Sequence, residues 1–117
     1  MRLGAILVAA VVLAGSANAG PLDNAGSWRS EGTESYRIGF VAAIAEDLMV
    51  FQDSQPNGEA IRTGYVKCLN DQRMDTLLRV VDAYLDRTPA GNTLPPVVVV
   101  MQALHEMCKS DMPNAPK

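Results

Sequence analysis

The sequence predicts an all-α domain, a small bundle of about three to five helices with one disulfide, Cys68–Cys108. Three observations lead there. Apolar residues recur every three or four positions along three stretches, the period of one helix face. The only two cysteines bracket the second and third of these stretches. The N-terminus reads as a secretion signal, which sends both thiols to an oxidising compartment where they pair.

Residues 1–19 read as a cleavable signal peptide. Arg2 is the single early charge, and an apolar run extends from Leu3 to Ala14. Ala17-Asn18-Ala19 supplies the small-residue ending of a signal-peptidase site, so cleavage is expected between Ala19 and Gly20. The apolar run is well short of the ~20 residues a membrane span needs. No second such run follows, and no cysteine lies near the cleavage site to take a lipid anchor. The expected location is the periplasm, with no membrane attachment after cleavage. Loss of the leader takes the 117-residue chain to 98, enough for one domain with one core. Arg2 leaves with it, so 10 basic groups become 9 against 13 acidic ones, a net charge of −4. That sign argues against nucleic acid, which selects basic faces, and is compatible with a basic protein partner.

Residues 20–32 are rich in Gly, Asn, Ser and Pro and are expected as a flexible lead-in, with Trp28 available to dock onto the core. A helical domain is expected over 33–109. Its first helix runs from Thr33 to Gln52, with Thr33 as N-cap and Glu34 placing an acid in the first turn. Tyr36, Phe40, Ile44, Leu48 and Phe51 form its apolar stripe, while Gly39, Ala42, Ala43 and Ala45 leave room for a neighbouring helix. From Asp53 to Lys67 the reading stays open. Ser54–Gly58 is a turn by composition, Glu59–Tyr65 suits a short helical turn, and Tyr65–Cys68 equally suits an extended segment.

The clearest helix is Asp71–Arg87, capped by Asp71. Met74, Leu77, Leu78, Val81, Tyr84 and Leu85 line one side of it, and Asp75, Arg79, Asp82 and Asp86 the other. Pro89 ends it by disfavouring helical geometry at Thr88. Val97–Val100 is four β-branched residues in a row, which local propensity reads as strand. Prolines suit a first helical turn, however, and Val97, Val100, Met101, Leu104 and Cys108 continue at helical spacing. Pro96–Lys109 is therefore read as a helix. Residues 110–117, with two prolines, are expected as a disordered tail.

Joining Cys68 to Cys108 closes a loop of about 40 residues and holds the last two helices as a hairpin, a stabilisation of about 4 kcal/mol from chain entropy. Typical domain stabilities are about 5–15 kcal/mol, so the bridge decides much. Free or metal-binding thiols are the alternative, disfavoured by the single histidine and the lack of a Cys-x-x-Cys. No metal or cofactor is expected, and no catalytic residue is assigned. His105 lacks a free thiol to activate and is read as a surface or partly buried helical residue. Glu46 and Asp47 point about 100° apart on a helix, a poor geometry for paired acid–base work. No nucleophile elbow, zincin motif, phosphate loop or dinucleotide fingerprint is present.

From Cys68 onward the chain resembles a known pattern. Cys68-Leu69, then Leu77-Leu78-x-Val80-Val81-x-x-Tyr84-Leu85, Pro89, Leu94-Pro95, and Ala103-Leu104 four residues before Cys108 look like the Rap/Tai family, small periplasmic immunity proteins of type VI secretion. Upstream, Tyr36-Arg37-Ile38-Gly39-Phe40-Val41-Ala42-Ala43 is similar to the family's Gly-aromatic helix motif. The resemblance spans 33–108. It departs at Asn70, where the family often has proline, at Ala43 for a second glycine, and at Glu106-Met107 for an aromatic-proline pair. It implies an all-helical, often dimeric protein with a protein partner, a peptidoglycan-cleaving amidase whose cleft it plugs. A homodimer is then an expected assembly. The candidate plug is the connection from Arg87 to Leu94, with Arg87, Thr88, Pro89, Gly91, Asn92 and Thr93 as partner-binding residues and Ser54–Gly58 as a second choice. A different class of function, a periplasmic acid-stress chaperone or general protein-binding domain, fits the same small disulfide-bonded helical make-up.

Overall fold

The computed structural model describes residues 23–113. The signal peptide expected at 1–19 and the last four residues of the expected tail lie outside them. Five helices follow in order: α1 (Ala25–Glu31), α2 (Glu34–Val50), α3 (Gly58–Leu69), α4 (Met74–Arg87) and α5 (Pro96–Cys108). Short 3-10 turns occupy Pro89–Thr93 and Lys109–Asp111. The described residues form no strand, and the all-α prediction with its disulfide holds.

Helix α1 lies inside the stretch expected as a flexible lead-in, and that expectation is corrected. Asn24 caps α1, its Oδ1 accepting from the Ser27 N–H at 2.8 Å. Packing holds what propensity would not. Ala25 and Trp28 are fully buried, and the Ala25 N–H donates to the Leu94 carbonyl at 2.8 Å. The Trp28 ring sits 5.6 Å from that of Phe40, under the Arg37 guanidinium at 5.4 Å. Arg29 reaches Asp86 at 2.7 Å and Asp82 at 3.3 Å, and Arg37 joins the same Asp82 at 3.1 Å. One acidic edge of α4 thus clamps α1 and α2.

Thr33 caps α2 as expected, its hydroxyl accepting from the Tyr36 N–H. The buried face differs from the expected stripe. Val41, Ala45 and Leu48 are buried, whereas Tyr36 is exposed and Phe51 is 71% exposed. Both α3 and α4 pack on α2, so its inner face centres on Val41, Ala45 and Leu48, with Phe40 and Ile44 half-buried on one flank. Gly39 faces open space, not a neighbouring helix. Phe51 has already left the helix, with φ −100° and ψ 72°.

The stretch left open becomes α3. Its entry is tight: Asn57 adopts the left-handed conformation at φ 62°, and a Cβ on Gly58 would meet the Gln52 carbonyl oxygen at 1.9 Å. Helix α4 buries Leu77, Leu78, Val81 and Leu85 as its periodicity predicts. Its N-cap position belongs to Arg73, not Asp71. The Arg73 guanidinium grips Asp75 through two hydrogen bonds of 3.1 Å. The expected Asp75–Arg79 pair forms at 3.6 Å.

Helix α5 is the centre of the bundle and touches each of the other four helices. Val99, Val100, Ala103, Leu104 and Cys108 are buried. Val97 and Met101, expected on the inner stripe, are 42% exposed. Burial on several sides overrides the strand preference of the valine run. The tail also differs from expectation. Lys109–Asp111 continues α5 as a 3-10 turn, and Met112 packs against the core. Cys68 and Cys108 are bonded, with Cα atoms 5.6 Å apart and a sequence separation of 40. The bond ties the last turn of α3 to the last turn of α5, and α4 and α5 pack within the closed loop.

Two measurements probe these supports. Urea unfolding with and without reductant will show a loss of about 4 kcal/mol when the bridge is opened. Trp28→Ala will cost about 3–5 kcal/mol by circular dichroism. Trp28→Phe will cost less, because the indole N–H it removes is buried without a hydrogen-bond partner.

Candidate functional site

Two regions stand out, one at each end of α5. At its N-terminal end lies the connection from Arg87 to Leu94. It is ordered by its own bonds. The Gly91 N–H donates to Thr88 at 2.9 Å and Leu94 to Gly91 at 3.0 Å. Asn92 Nδ2 caps the Pro89 carbonyl and Thr93 Oγ1 the Ala90 carbonyl, each at 3.0 Å. Gly91 is buried, where a Cβ would come within 3.1 Å of Leu85 Cδ2.

The six candidate residues do not all face outward. Pro89 and Thr93 are exposed, Thr88 and Asn92 are half-buried, and Gly91 is inside. Arg87 is engaged, pairing with Glu106 and stacking 5.6 Å over the Tyr84 ring. Within the connection, the exposed residues outside that ion pair are Pro89, Ala90, Thr93 and Leu94. Helix α1 packs behind it as a brace.

At the C-terminal end, α2, α3 and α5 leave an open groove of about 730 Å³. Leu48, Ile61, Met101 and Met112 supply apolar surface, with Tyr65, His105 and Lys109 among its polar lining. Tyr65 Oη and His105 Nδ1 are 3.1 Å apart and link α3 to α5 across it. Burial pushes the Tyr65 phenol above its ordinary pKa, which keeps it a neutral hydroxyl. The second-choice loop, Ser54–Gly58, forms the rim. It is laced to Gln52, the buried polar side chain of the core. Gln52 donates to the Leu48 carbonyl at 3.1 Å and accepts from Gln55 Nε2 at 2.5 Å.

Sequence reasoning missed this groove. His105 is exposed, as one of its readings allowed, but its partner lies 40 positions away on a helix the sequence left undecided. The available signal was the i, i+4, i+8 series Met101, His105, Lys109 on the outer face of α5. Among the described residues no three His, Cys, Asp or Glu side chains gather to hold a metal, and no helix is long and apolar enough to cross a membrane. Set against known proteins, the chain matches no family model, no curated protein and no solved structure.

The groove wall rests on a close approach. A Cβ on Gly64 would lie 2.6 Å from the Asp111 carbonyl oxygen and 2.9 Å from Met112 Cε. Gly64→Ala will push the terminal turn off α3, lowering stability by about 1–3 kcal/mol. Amide resonances of Lys109–Met112 will shift with it.

Proposed function

We propose that this chain is a periplasmic immunity protein of the Rap/Tai type, a non-enzymatic inhibitor that plugs the cleft of a peptidoglycan-degrading amidase delivered by type VI secretion. The observation that carries the reading is the Arg87–Leu94 connection: exposed at Pro89, Ala90, Thr93 and Leu94, and already hydrogen-bonded. A loop ordered before contact loses little entropy on entering a cleft. The disulfide and the buried inner face of α5 keep the scaffold rigid, which suits recognition by a loop. The disulfide is also consistent with an oxidising compartment.

A second reading, an acid-stress chaperone, draws on the clamp over α1. The Arg29 hydrogen bond holds the Asp86 carboxyl below its ordinary pKa. A lowered folded-state value contributes stability above the unfolded-state pKa and loses it as pH falls through the lowered value. Strong acid therefore loosens α1 from α4, baring the apolar surface that Trp28 covers.

Calorimetry against candidate effectors, beginning with the products of neighbouring genes, separates the two. Immunity requires nanomolar capture and protection of a sensitive strain. Thr93→Arg will weaken capture by about 100-fold or more, while loss of its exposed hydrogen bond to the Ala90 carbonyl lowers the melting temperature only slightly. Failure of both capture and protection, together with suppressed aggregation of client proteins in acid, replaces this reading with the chaperone.

A further inference from the structure

We propose that the groove at the C-terminal end of α5 binds a single-chain amphiphilic carboxylate of medium length. Its tail lies along Leu48, Ile61, Met101 and Met112, and its head meets Lys109. The proposal is independent of the immunity reading, which uses the other end of α5.

Size comes first. A groove of about 730 Å³ falls within the range of small-molecule sites, which are mostly apolar with a few polar groups placed to fix orientation. The lining has that composition. Two of its apolar side chains are methionines, whose unbranched stems adjust to a flexible tail. Met101 is 42% exposed on this face, apolar area that an alkyl chain would cover.

Charge selects the head group. The chain carries 13 acidic side chains, yet none of them lines this groove. Lys109 is the one fully charged group there, and it makes no ion pair among the described residues. The nearby acids are engaged elsewhere: Asp111 lies 3.8 Å from Lys67, and Glu106 is bound by Arg87. Beside the lysine, the Tyr65 hydroxyl and the His105 ring offer further hydrogen-bonding groups at the same rim. A cationic amphiphile would meet Lys109 without compensation. A carboxylate gains a charge-assisted hydrogen bond.

The floor needs nothing from the ligand. Gln52 has both ends of its amide bonded within the protein, so an alkyl chain strands neither of them. By contrast, a second exposed apolar patch, around Val50, Phe51 and Val66, is flanked by Glu46 and Asp47 and repels an anion.

The test titrates the oxidised, full-length mature protein with octanoate, decanoate and dodecanoate below their micelle concentrations. Calorimetry and two-dimensional NMR provide the readouts. Affinity will rise about fourfold per added methylene until the groove is full, with shifts concentrated at Tyr65, Met101, His105 and Lys109. Lys109→Glu, a change at an exposed position, will weaken decanoate about tenfold or more and leave the neutral decanol unaffected. Met101→Glu, also exposed, will weaken both. Equal affinity for decanol and decanoate in the unmodified protein overturns the head-group assignment. Absence of binding at millimolar decanoate, or shifts that centre on Val50, Phe51 and Val66, overturns the site. So does a response to anionic lipid vesicles with none to monomeric decanoate. Thr93→Arg will leave decanoate binding unchanged, and Lys109→Glu will leave amidase capture unchanged, so either proposal can fail without the other.

Discussion

One covalent constraint organises this small domain: the bond between Cys68 and Cys108, which ties the ends of α3 and α5 together. Helix α5 is the element that most needs fixing. It is the axis around which the other four helices pack, and its Val97–Val100 run would favour an extended chain if left alone. The bridge fixes its last turn to α3, while Pro95 and Pro96 preset its first. Everything else in the bundle is built onto an axis pinned at both ends. That economy matters in a domain of this size, where apolar burial and conformational entropy nearly cancel.

The two candidate surfaces inherit this geometry. They lie at opposite ends of a 13-residue helix, about 20 Å apart at 1.5 Å per residue. One is convex and locked by backbone bonds; the other is concave and lined by adjustable side chains. What each presents differs: an ordered, exposed backbone at the connection, and apolar area with a single cation at the groove.

What was legible in the sequence follows from how each element is stabilised. Helix α4 could be read outright because one side faces the core and the other faces water, so its residues alternate in kind along the helical period. The disulfide could be read because two cysteines allow one pairing. Helix α2 was placed correctly but turned by part of a revolution. Large apolar side chains suggest a stripe, yet its contact with α3 and α4 is made through Val41 and Ala45, and bulk is pushed to the flanks. Helices α1 and α3 were hidden by glycine and serine. In α3 the glycines answer to neighbours outside the helix: Gln52, just across the Ser54–Gly58 loop, behind Gly58, and Asp111, far along the chain, behind Gly64. The connection at Pro89 is a local feature and was found. The groove draws on residues from Leu48 to Pro113, so no local pattern announces it.

The placement of α1 has a further consequence for how the molecule breathes. Helix α1 stands outside the cross-linked loop and is attached through Ala25, Trp28 and the arginine–aspartate contacts. Those charged contacts are partly solvated and weaken as ionic strength rises. The domain therefore has an unequal hierarchy of local openings, with an N-terminal flap that lifts before the remainder loosens. Amide protons of Trp28 and its neighbours exchange with solvent ahead of those in α3 and α5. Because Trp28 is the sole indole in the chain, its emission reports that earliest event rather than the last.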